Sequence, residues 1–195
     1  GDLHGSLAGR CLSVLGLCAF EAGQLRRSSN LFQRAIRFGE DTQDLEGTCR
    51  ALMCLLSNLA DVYTPSSLAS LVSEAERCVR RLGSLTMTVW FHLILGRTEG
   101  RRGLLDEADQ HLTAARSLMD GNLNPWLKGL YSLDASVLSH LGADFKDSID
   151  LANEALNCSL QSGHERTRIA ALANLGSLHV YRGDLRKAED FFGQS

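Results

Sequence analysis

A chain of 195 residues, 44% hydrophobic and 22% charged, is long enough for one or two globular domains and far from the composition of a disordered segment. No apolar run approaches the ~18 residues of a membrane span, and no charged leader with an apolar core opens the sequence. The formal charge of −3 argues against nucleic acid as a direct partner, because phosphate binding needs a basic face.

The first interpretable segment is LGLCAFEAGQLRRSSNLFQRA, Leu15 to Ala35. It predicts a helix, a turn at Gly23 and a second helix, since glycine adopts φ > 0 without penalty and so ends helices. The next segment runs Leu55-Leu56, Tyr63, Leu68, Val72, Ala75. Within it, Thr64-Pro65 supplies a cap followed by proline at the first helical position.

Then comes LILGRTEGRRGLLDEA, Leu93 to Ala108, with Gly96, Gly100 and Gly103 among arginines. A phosphate-binding loop would need Lys-Ser or Lys-Thr after its last glycine, where this chain has Leu104-Leu105. A dinucleotide loop would need an acidic residue about 20 residues on, capping a second strand, and none is found. The segment reads as helix, turn and helix, with Gly100 weakening its helix by ~1 kcal/mol relative to Ala. Asn124-Pro125 starts another helix, and Ala135-Ser136, Ala143, Ser148, Ala152, Ala155 continue the series. In the last segment, ERTRIAALANLGSLHVYRGDLRKAEDFF, a spacing of three places Ile169, Leu172, Leu175 and Leu178 on one helix. Asp184 is positioned to cap the next, which presents Leu185, Ala188, Phe191 and Phe192 together. No segment shows sustained period-two alternation, so no sheet is expected.

These segments superimpose. Leu15-Gly16, Gly23, Ser28, Phe32 and Ala35 match Leu95-Gly96, Gly103, Ala108, Leu112 and Ala115, 80 residues on. They match again in Leu175-Gly176, Gly183, Ala188, Phe192 and Ser195. The two weaker segments fall halfway between, which sets a period of 40 with five copies at 1–40, 41–80, 81–120, 121–160 and a shorter 161–195. Glycine at the first matched position lets a neighbouring helix approach closely, and at the second it ends a helix.

Leu-Gly, a small residue, Gly, Ala, Phe, Ala at these offsets resembles the tetratricopeptide repeat, in copies about six residues longer than the usual ~34. HEAT and armadillo repeats do not place Gly, small residue and aromatic at these offsets. The resemblance implies one all-α domain, a right-handed α-α superhelix of five helix-turn-helix repeats. Repeats of this length are also similar, more loosely, to the solenoids of large bacterial signalling proteins, including ATP-dependent transcription activators of the maltose-activator type.

The same resemblance implies that the first helix of each pair lines a concave groove that takes a protein or peptide. The positions it carries over are Arg10, Ser13, Leu17 and Phe20, then Arg50, Met53 and Ser57. Trp90, Leu93, Arg97 and Arg101 follow, then Leu133, Val137 and His140, and finally Ala173, Ser177 and Tyr181. Of these Arg10, Phe20, Arg50, Trp90, Arg97, Arg101, His140 and Tyr181 have the aromatic and arginine character that interface hot spots favour. Arg97 could instead pair with Glu99 or Asp106. The lysine and asparagine clamp for chaperone tails is missing from this face.

Catalytic patterns are absent from the sequence: there is no HExxH, no i,i+4 histidine pair and no Gly-x-Ser-x-Gly elbow. A binding module rather than an enzyme is expected, without metal or cofactor. The six cysteines include no C-x-x-C pair and read as small buried apolar residues of a reducing cytoplasm. The chain lacks an initiating Met and stops within an apolar helical pattern, so a piece of a longer regulatory protein is expected. Two other readings remain: self-assembly through the solenoid ends, suggested by Leu185, Phe191 and Phe192, and reception of a small effector.

Overall fold

The structure is a computed structural model. It describes residues 3–60, 65–119 and 124–195, and their side chains from residues 7, 67 and 124 onward in those stretches. Every regular element among them is an α-helix. The chain divides into two compact units, Gly1–Ile94 and Leu95–Ser195.

The first unit contains α1 (Leu3–Glu21), α2 (Leu25–Asp41), α3 (Leu45–Ala60), α4 (Pro65–Leu82) and the start of α5 (Leu85–Arg101). The second contains the end of α5 and α6 (Leu105–Leu118), α7 (Pro125–Leu141), α8 (Phe145–Ser162), α9 (Glu165–Tyr181) and α10 (Leu185–Gln194). In the first unit α2 packs on α1 and on α3, α4 packs on α3, and α1 also touches α3. In the second, α6 to α10 pack in chain order and α7 also touches α9. Each unit is thus built of helical hairpins whose first helices meet, a helical-repeat arrangement.

The second helix of a pair shows why the sequence folds this way. In α2 the buried residues are Ser28, Phe32, Ala35, Ile36 and Gly39, one stripe at helical spacing, with charged and polar residues on the opposite face. A Cβ added at Gly16 would stand 2.6 Å from the Phe32 ring, and one at Gly176 would stand 2.6 Å from the Phe192 ring. At Gly96 it would stand 3.3 Å from Leu112 and from the Ala108 carbonyl oxygen. The glycines therefore seat the second helix on the first, as expected.

The fourth copy solves the same contact differently. There Ser136 and Ser148 exchange hydrogen bonds from each hydroxyl to the other's carbonyl, at 2.7 and 2.8 Å, and Asn174 Nδ2 donates to Ser136 Oγ at 2.8 Å. Paired hydroxyls replace the glycine-against-apolar fit, and every buried polar group in the set is used.

The turns have a shorter period than the side chains. Gly23, Gln43, Gly83, Gly103, Ala143, Gly163 and Gly183 all have positive φ, from 58° to 80°. They stand 20 residues apart, except where positions 63 and 123 lie outside the described residues. At Gly23 the N–H donates to Phe20 O at 2.9 Å and the next N–H to Ala19 O at 2.8 Å, the pair of bonds that closes a helix on a left-handed residue. The same pair recurs at Gln43, Gly103, Ala143 and Gly183.

Local expectations divide. Asn124 caps α7 through a 3.0 Å bond from Trp126 N, with Pro125 at the first helical position. Thr64 lies outside the described residues, and α4 starts at Pro65. Asp184 stands at the start of α10 without capping it; its carboxylate turns instead to His179 Nδ1, 3.3 Å away. Leu172, Leu175 and Leu178 are buried as the spacing predicts, but Ile169 is 41% exposed. The cysteines also differ from expectation: Cys11 and Cys18 are exposed on α1, and only the other four are buried.

Candidate functional site

Each sequence-derived candidate has a definite place. In the first unit, Arg10 is exposed and its Nε stands 3.5 Å from Asp44 Oδ2. Arg50 pairs with Glu46 across one helical turn at 3.1 Å, a surface pair of small energetic weight. Phe20 and Trp90 are half-buried. In the second, Arg97 is half-buried and Arg101 exposed, while Glu99 pairs with Arg102 at 2.6 Å. Met53, Leu93 and Ser13 prove to be buried rather than surface-lining. Met53 belongs to α3, which has α1, α2 and α4 packed against it, so little of that helix reaches solvent.

Two candidates are brought into contact. His140 is the penultimate residue of α7 and Tyr181 the last of α9, with ring centroids 4.9 Å apart. Phe145, the first residue of α8, completes the cluster. It meets His140 edge-on at 5.3 Å and lies 6.5 Å from Tyr181. The three residues converge because α7 and α9 run side by side and the left-handed Ala143 returns the chain sharply between His140 and Phe145. The separations and tilts are those of favourable aromatic packing. Tyr181 nevertheless remains 68% exposed, and Leu141, Phe145 and Val180 expose apolar surface nearby.

A cleft of about 390 Å³ is formed here by Phe145, Lys146, Tyr181 and Arg182. Among the described residues neither Lys146 nor Arg182 enters an ion pair. The nearby acids are engaged within the fold. Asp144 accepts from Asp147 N at 3.0 Å, Asp147 accepts from Ser139 Oγ at 2.7 Å, and Asp184 faces His179. The patch thus offers two rings and two cations to a partner. Phe145, Lys146 and Arg182 were missed by the sequence reading, which sought groove residues only within first helices. The signal available was Phe145 itself, an aromatic where the other copies have Leu25, Pro65, Leu105 and Leu185.

A larger cleft of about 800 Å³ among α6, α7 and α8 contrasts with it. Two of its charges are paired with each other: Lys128 Nζ lies 2.7 Å from Glu154 Oε1, and Ser132 Oγ donates to Glu154 Oε2 at 2.8 Å. Burial pushes the Glu154 carboxyl up, but the bonds from Lys128 and Ser132 outweigh it and hold the group below the usual carboxylate range. The same contact raises Lys128. This is a bridge between α7 and α8.

Among the described residues no three His, Cys, Asp or Glu side chains gather as a metal would require. No helix among them is long and apolar enough to cross a membrane. No protein-family model matches the chain, and no curated protein matches it.

Proposed function

We propose that the chain is a non-enzymatic protein- or peptide-binding module of the tetratricopeptide type, acting as the docking or sensing part of a larger regulatory protein of the bacterial signalling or transcription-regulating kind. The observation that carries this reading is the exposed His140–Phe145–Tyr181 cluster flanked by Lys146 and Arg182. Rings held rigidly by packing lose little entropy on binding, and arginine and tyrosine dominate interface energetics. The complementary partner is a peptide segment with apolar or aromatic residues beside Asp or Glu.

Fluorescence anisotropy with labelled peptides of graded acidic and aromatic content tests this. Acidic aromatic peptides should bind, weaken with salt, and lose roughly tenfold or more in affinity with Tyr181→Ala or Arg182→Glu. Equal binding of neutral and acidic peptides, or variants that bind like the parent, would overturn the proposal.

A second reading, self-association, is favoured by α10, where Leu185 is 66% and Phe192 45% exposed. Leu185→Glu is the clean probe, because the Phe192 ring also packs on Gly176. If the face joins copies, sedimentation equilibrium should show the parent associating and the variant monomeric; a monomeric parent rejects it.

A further inference from the structure

Cys49 and Cys78 meet across the hairpin of the second copy. Cys49 lies in α3 and Cys78 in α4, both are buried, and Cys78 Sγ donates to the Leu45 carbonyl oxygen, one turn before Cys49 on α3, at 3.9 Å. The repeat shows how near their backbones stand. Positions 9 and 38, 49 and 78, and 129 and 158 are the same facing pair in three copies. A Cβ added at Gly9 would lie 3.5 Å from Phe38 Cβ, and one at Gly129 would lie 3.1 Å from Cys158 Cβ. A disulfide needs its Cβ atoms about 3.5–4.5 Å apart. Of the three pairs, only the second has a thiol on both sides.

The two sulfurs are not equivalent. Cys49 is 0% exposed, whereas Cys78 lines a cleft of about 730 Å³ formed by the end of α2, the start of α3 and the end of α4. Arg77, Arg81, Glu40 and Glu74 also line it, a mixture of charges that suits a ligand carrying both carboxylate and ammonium groups. Burial raises both thiols, Cys49 to about 12. Of the two, only Cys78 lines the cleft, beside Arg77 and Arg81, so Cys78 is the sulfur that an incoming disulfide meets first.

We propose that Cys49 and Cys78 form a thiol–disulfide exchange site, with Cys78 as the entering thiol, Cys49 as the resolving thiol, and a glutathione-type disulfide as the reactant. The Cys78 thiolate attacks one sulfur of the incoming disulfide, whose S–S bond breaks and releases one small thiolate. Cys49, on losing its proton, attacks the Cys78 sulfur of the mixed disulfide and releases the second thiolate. The protons lost by the two cysteines go to the two leaving thiolates. Two protein thiols are oxidised, one small disulfide is reduced to two thiols, and α3 becomes bonded to α4.

The test uses the full chain with Cys11→Ser and Cys18→Ser, which removes the two exposed thiols. The native protein is incubated with oxidised glutathione, quenched in acid, alkylated and mapped by mass spectrometry. The expected product is a Cys49–Cys78 disulfide, with a melting temperature several degrees higher because the bond closes a loop in the unfolded chain. Adding Cys49→Ser should halt the reaction at a Cys78–glutathione mixed disulfide, and adding Cys78→Ser should leave Cys49 reduced. Cys158, the repeat equivalent of Cys78, faces Gly129 and should form no intramolecular bond. The proposal is overturned if the native protein leaves Cys78 unmodified while the urea-unfolded chain reacts. It is overturned equally if Cys54 or Cys158 oxidises first.

Discussion

Among the described residues, Ala143 and Gln43 hold the left-handed conformation that five glycines also hold. For a residue with a Cβ that conformation costs roughly 1 kcal/mol. Ala143→Gly should therefore raise stability by up to about 1 kcal/mol despite the added freedom of the unfolded chain, and Gly183→Ala should lower it by a similar amount. Urea denaturation followed by circular dichroism measures both. A gain from Gly183→Ala would refute the shared turn geometry. Ala143 also shows where sequence reading stops at this scale. Glycines at 23, 103 and 183 signalled their turns by residue type, whereas Ala143 was placed there only by the repeat register and nothing in an alanine itself marks a left-handed conformation.

Among the helices, the glycines divide by what faces them. A Cβ at Gly176 would collide with the Phe192 ring, while at Gly100 it would make ordinary contacts, 3.6 Å to Ala108 and 4.0 Å to Leu138. Gly176→Ala should destabilise by about 1–3 kcal/mol, the usual cost of overpacking. Gly100→Ala should stabilise by up to about 1 kcal/mol through helix propensity. Thermal melts of the two variants should move in opposite directions, and movement in the same direction would contradict the packing described. The pattern Gly-then-Phe sixteen residues apart was legible beforehand, because each half constrains the other across one hairpin. The Ser136–Ser148 exchange was not, since a serine in a helix more often faces water or its own backbone. Only the position of α8 against α7 pairs the two hydroxyls.

At the scale of the whole molecule, acid should act on the second unit through two groups. Burial lowers the pKa of His111, with Glu99 partly opposing it, and Glu154 is lowered by its bonds to Lys128 and Ser132. Both folded values lie below the unfolded ones, so each contribution is present above the unfolded value and lost as pH falls through the folded one. The His111 contribution declines first, below its ordinary range near neutrality. The Glu154 contribution follows below the usual carboxylate range. Hydrogen exchange should show α7 and α8 losing protection in the lower window, and Glu154→Gln should remove that part of the pH dependence. An unchanged profile in that variant would show that the bridge carries no weight.

What the sequence determined by itself is the helix-turn-helix period and the fit of glycine against aromatic within a hairpin. Those depend on backbone freedom and on residues fewer than twenty positions apart. Tertiary structure decided the rest. It buried Met53 by packing other helices against α3, it buried Leu93 as well, and it left Ile169 and Tyr181 exposed. It brought Cys78 of α4 to Leu45, one turn from Cys49 on α3, and it gathered His140, Phe145 and Tyr181 into one patch. Such meetings depend on how helices from different turns of the chain are placed side by side, and periodicity along one helix does not contain that information.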